Sequence, residues 1–89
     1  MGMFDWLLGR KSEKWYRHEL DFLLIGWSRI HSHIKQRGSY TAQESKDISD
    51  LNLKISDMVG EMRRYSYRTD DLLTQYHYQS GVVQYRKTN

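Results

Sequence analysis

Nine residues of this chain, Ile48, Leu51, Ile55, Met58, Met62, Tyr65, Thr69, Leu72 and Tyr76, follow one another at alternating steps of three and four. That spacing is the heptad seam of a coiled coil, and only Thr69 is weak in it. It predicts one amphipathic helix over 41–79. Thr41, followed three residues later by Glu44, supplies the start. In such a capping box the hydroxyl and the carboxylate satisfy two otherwise unpaired amides reciprocally.

A matching seam lies upstream. Tyr16, Leu20, Leu23, Trp27, Ile30 and Ile34 step by four, three, four, three and four. Ser12 is placed to cap this helix, Glu13 suits its first turn, and Gly38 stops it, so the expected span is 12–37. Gly38-Ser39-Tyr40 is short enough to make the two helices antiparallel neighbours. The expected fold is all-α: an antiparallel helical hairpin with heptad, coiled-coil-like packing. A short N-terminal helix over 3–9 and a frayed basic tail over 80–89 complete one small domain over 1–89.

Two observations predict either a three-helix arrangement, with the segment 3–9 folded over the hairpin, or an oligomeric helical bundle, and the oligomer is favoured. Trp15, Phe22 and Ile25 form a second stripe on the first helix that one partner helix cannot cover. Burying such side chains is worth about 1.5–3 kcal/mol each. The second helix would also overshoot the first by about 18 Å at 1.5 Å per residue. Leu72 and Tyr76 sit on that overhang. A break near Ser66–Asp71 is the alternative, because Thr69-Asp70-Asp71 resembles a fresh helix start. Continuity is favoured because the heptad step carries through.

The composition narrows the chemistry. The 89 residues contain no proline, which suits unbroken helices, and no cysteine, which excludes disulfides and thiolate sites. Apolar content is 38% and mean hydropathy −0.84, values that fit an elongated helical chain with much exposed surface. The net charge of +3 is unevenly spread: +2 over 12–38, −3 over 41–61 and +3 over 62–89. The basic first helix and the acidic start of the second are therefore complementary. The longest apolar run, Phe22 to Trp27, falls far short of the ~20 residues a membrane span needs. No secretory signal is visible, since Asp5 interrupts the apolar N-terminal patch. Met1-Gly2 does not continue into a myristoylation motif, because position 6 is Trp. The expected location is the cytoplasm, with the membrane surface as an added option.

No reaction or metal site is expected. His31 and His33 lie two apart, pointing about 200° away from each other on a helix, whereas helical zinc pairs use four-residue spacing. Asp70 and Asp71 are adjacent and do not converge, and nothing supplies a nucleophile. No cofactor is expected. Arg63, Arg64 and Arg68, interleaved with Tyr65 and Tyr67, form the candidate nucleic-acid surface, since arginine binds phosphate and tyrosine stacks on bases.

The size, the hairpin shape and Tyr67-Arg-Thr-Asp-Asp71 resemble the small secreted helical hairpins of the WXG100 class. Those proteins carry a Tyr-x-x-x-Asp/Glu export signal after the second helix. They also carry a Trp-x-Gly turn, which is absent here: Gly26-Trp27 is reversed and lies inside the first helix. No residue is carried over as functional.

The expected function is non-enzymatic: a small helical interaction module (adaptor, inhibitor or assembly protein) that self-associates and takes a protein partner. Phe4, Trp6, Leu7, Leu8, Trp15, Phe22, Ile25, Leu72 and Tyr76 are the candidate interface residues. A peripheral membrane protein using the amphipathic segment 3–11 is the alternative, and nucleic-acid binding through Arg63, Arg64 and Arg68 is the third reading.

Overall fold

The computed structural model describes residues 11–80 and the backbone of Arg86 and Lys87. The expected short helix over 3–9, with Phe4, Trp6, Leu7 and Leu8, lies outside the described residues. Helix α1 spans Glu13–Arg37, as the sequence predicts. The Ser12 hydroxyl accepts a hydrogen bond from the Trp15 amide at 3.2 Å. At the other end Gly38 adopts φ 81°, and its N–H donates to the Ile34 carbonyl at 2.7 Å. Glycine takes that left-handed conformation without steric penalty, so the helix stops there.

Ser39–Tyr40 forms a two-residue strand, β1. Helix α2 follows over Ala42–Arg64. Both halves of the capping box form: the Glu44 amide donates to Thr41 Oγ1 at 3.1 Å, and the Thr41 amide donates to Glu44 Oε1 at 2.8 Å. Arg37 pairs with the same carboxylate across the turn. The two long helices pack antiparallel, as a hairpin.

A continuous helix over 41–79 is not what forms. Helix α2 ends at Arg64, and a separate short helix, α3, spans Asp70–Gln75. Ser66 sits at φ 61°, the Tyr67 amide donates to Met62 O at 2.8 Å and the Ser66 amide to Arg63 O at 3.0 Å. These are the paired bonds of a Schellman helix end, built on serine. The aromatic rings give the physical reason. Tyr65 and Tyr67 both pack on Tyr16, with ring centroids 6.0 and 5.6 Å away. Residues two apart on a helix point in nearly opposite directions, so both rings reach Tyr16 only if the helix breaks. The break falls where the alternative placed it, around Ser66–Asp71.

The chain then turns back. Asp71, Tyr76 and Tyr78 meet Arg17, Asp21 and Trp27 in turn, so this third leg runs parallel to α1. The expected overhang is therefore absent, and Leu72 is buried in the chain's own core. The expected frayed tail over 80–89 is corrected at one point: Arg86–Lys87 forms strand β2, which pairs in parallel with β1, Ser39 opposite Arg86 and Tyr40 opposite Lys87.

The third leg also changes which side chains form the core. Leu24 and Val59 are buried, whereas the predicted seam residues Leu23, Ile30, Leu51 and Met58 are only half-buried. Each helix has turned its apolar stripe toward the leg. The buried set Leu20, Leu24 and Trp27 faces Ile55, Val59 and Met62 with Leu72 across them. This is the broad apolar stripe of a globular bundle, wider than a strict two-position seam.

Candidate interaction face

The third leg fills one flank of the hairpin, and no other described residue covers the opposite flank, which is open in that sense. On the filled flank Arg17 makes two hydrogen bonds to the Asp71 carboxylate, at 3.0 and 2.7 Å. The guanidinium holds that carboxyl down at about 2. Tyr76 donates to Asp21 Oδ1 at 2.5 Å and Tyr78 to Asn52 Oδ1 at 2.9 Å. Nearer the break, Tyr16 donates to Glu61 Oε1 at 2.8 Å. Burial, reinforced by that carboxylate, pushes the Tyr16 hydroxyl up to about 12.

The open flank is a groove of about 310 Å³ lined by Glu19, Phe22 and Leu23 of α1 and Lys54, Asp57, Met58 and Glu61 of α2. Glu19 and Leu23 each lie two positions from Asp21, and Lys54 lies two from Asn52. They therefore face away from the flank that the third leg covers. Leu23 and Met58 form an apolar floor, half-buried against the core. Phe22 stands at the rim, 70% exposed. Trp15, seven residues earlier on the same face, is 41% exposed, with the Lys11 ammonium over its ring at 5.9 Å. Leu53 of α2 is the other large exposed apolar side chain among the described residues.

Of the candidate interface residues, Trp15 and Phe22 thus fall together on this face. Ile25 is half-buried and does not line the groove. Leu72 is buried in the chain's own core, and Tyr76 is half-buried against it. Glu19, Leu23, Lys54, Asp57, Met58 and Glu61 of the groove are not among the candidate site residues that the sequence singles out. Met58 reads as a plain seam position unless a third leg is known to rotate the core away from it.

The arginine cluster is largely neutralised within the chain. Arg63 pairs with Asp70 at 3.1 Å and Arg68 with Glu13 at 3.7 Å, while the Arg68 amide also donates to Glu13. Arg64 is exposed and makes no ion pair among the described residues. A second surface hollow, about 420 Å³, lies beside this cluster and is lined by Asp70 and Asp71 as well as by Arg63 and Arg68. The Tyr67–Asp71 stretch lies after α2, and both of its ends are engaged: Tyr67 donates to the Lys11 carbonyl at 3.2 Å and Asp71 accepts from Arg17.

The two clustered histidines part company. His33 is exposed, whereas His31 stacks on Trp27 with centroids 4.1 Å apart. Burial lowers the His31 pKa, and its Nε2 has no hydrogen-bond partner. No cluster of three metal-ligating side chains occurs among the described residues. No helix among them is long and apolar enough to cross a membrane. Comparison with protein-family models, characterised proteins and solved structures finds no match.

Proposed function

We propose that this chain is a non-enzymatic helical interaction module, and that its open flank takes an apolar surface from another polypeptide, of the same or a different sequence. The observation that carries this reading is Phe22, 70% exposed at the rim of an apolar-floored groove in a molecule that covers its other flank with its own chain. A small domain has few apolar side chains to lose from its core, and a large aromatic left in water at a groove is a common anchor of protein interfaces.

A photo-reactive phenylalanine analogue at position 22, introduced in cells, tests the proposal. A discrete protein adduct is expected from position 22 and none from Lys46, which is exposed elsewhere on α2. A cross-linked second copy would make the module a homo-oligomer. No adduct at position 22 would reject the open flank as the contact surface.

A further inference from the structure

The open groove has a charge as well as a shape. Its lining carries three carboxylates, Glu19, Asp57 and Glu61, against the single ammonium of Lys54, a net charge of −2. None of the three carboxylates makes an ion pair among the described residues. Glu61 accepts a hydrogen bond from Tyr16, much as Asp21 on the filled flank accepts from Tyr76, whereas Asp71 on that flank is ion-paired with Arg17. The groove thus joins an apolar floor to a rim of net negative charge.

Resting on the reading of this flank as an interaction face, we propose that the groove receives a basic amphipathic helix, its apolar stripe on Phe22, Leu23 and Met58 and its lysines or arginines beside Glu19, Asp57 and Glu61. The other flank provides the precedent. There Leu72, Leu73 and Tyr76 of the third leg pack against the same two helices. A helix laid in the open groove would complete the bundle symmetrically, with apolar anchors at three- and four-residue spacing. The acidic rim also selects against two other occupants. A second copy presenting the same face would set carboxylates against carboxylates, and like charges in juxtaposition are costly at an interface. An anionic lipid surface would be repelled for the same reason.

Three fluorescent peptides of about 18 residues, long enough to be helical when bound, discriminate the possibilities. All share one leucine stripe, and their polar faces are all lysine, all glutamine or all glutamate. Each is titrated into the full-length protein by fluorescence anisotropy, and amide NMR shifts locate the contact. The lysine peptide should bind most tightly, weaken with added salt, and shift the amides of Phe22, Leu23 and Met58. The double substitution Glu19→Lys/Asp57→Lys, at two exposed or half-exposed positions, should weaken the lysine peptide by about tenfold or more and strengthen the glutamate peptide. Phe22→Ala should weaken all three.

Equal binding of the lysine and glutamine peptides at this groove would overturn the charge inference while leaving the interaction face standing. No binding by any peptide, with Phe22→Ala indistinguishable from wild type, would overturn both. Dimerisation by light scattering that Phe22→Ala abolishes would give the groove to a second copy. Nuclear Overhauser contacts from the Trp6 ring to Met58 would give it to the chain's own N-terminal segment. Either result rejects the basic helix as occupant.

Discussion

Three tyrosine hydroxyls tie this molecule together, and each does so by donating to a side-chain oxygen elsewhere in the chain. Tyr16 reaches Glu61, Tyr76 reaches Asp21 and Tyr78 reaches Asn52. All three are held above the ordinary value of 10.0: Tyr16 mainly by burial, Tyr76 mainly by its hydrogen bond to Asp21, and Tyr78 by burial. For such groups the folded state keeps the proton more tightly than the unfolded chain. Their stabilisation is complete below about pH 10 and is lost as pH rises through the folded value, which for Tyr16 is about 12. A tyrosinate absorbance titration should therefore show delayed ionisation that coincides with loss of helical circular dichroism, and Tyr16→Phe should remove part of the delay. His31 acts at the other end of the pH scale. Its folded pKa lies below 6.5 because burial disfavours the imidazolium, so the unfolded chain binds the proton first. The associated stability is present above about pH 6.5 and falls as pH drops below it. Thermal melts at pH 7.5 and 5.5 should differ, and His31→Gln should shrink the difference; an unchanged difference would assign it to other groups.

Helix boundaries divide into those written in side-chain chemistry and those written in backbone conformation alone. Ser12, Thr41–Glu44 and Gly38 announce themselves by residue type, and each cap forms where its residue type places it. The end of α2 carries no such signal, because the left-handed position falls on Ser66 rather than on glycine. The end of α3 repeats the pattern, with His77 at φ 53°, its amide bonded to Thr74 O and that of Tyr78 to Leu73 O. Both ends depend on aromatic packing across the molecule, which periodicity within one segment cannot reveal. The heptad step through Tyr65, Thr69 and Leu72 is real in spacing, yet it belongs to two helices and a turn. Since a side chain at positive φ costs about 1 kcal/mol or more, Ser66→Gly should raise stability by roughly that amount, and Ser66→Val should lower it. Gly60 offers a contrasting case. It lies within α2 at ordinary φ, and an added methyl would meet nothing within 4 Å. Gly60→Ala should stabilise by about 0.8–1 kcal/mol from helix propensity alone. Urea midpoints at constant slope are the measurement for all three variants.

At the scale of the whole molecule, the hairpin and its third leg are unequal partners. Among the described residues, helices α1 and α2 contribute nine of the ten buried apolar core residues, and the leg contributes Leu72. Leu73, Tyr76 and Tyr78 of the leg are half-buried against that core, and the two tyrosines are also held by hydrogen bonds to Asp21 and Asn52. Opening free energies follow local burial, so the leg should detach before the hairpin separates. Native-state hydrogen exchange should then show two tiers: the amides of Leu72 to Tyr78 in the lower, and those around Leu20–Trp27 and Ile55–Met62 in the upper. Leu72→Ala removes the leg's one buried apolar side chain among the described residues, at a cost of about 2–5 kcal/mol if the leg stays docked. Detachment limits that cost, because an unanchored leg can leave without unfolding α1 and α2. The expected outcome is loss of protection confined to the leg, with the hairpin tier falling by less than the full cavity penalty. Equal loss across both tiers would show a single cooperative unit, in which the hairpin does not outlast its leg. In the two-tier case detachment would expose Leu20, Leu24 and Val59 and give the hairpin a second apolar flank. The leg would then be the element that keeps association confined to the open groove, and Leu72→Ala should make the protein aggregate at concentrations where Phe22→Ala does not.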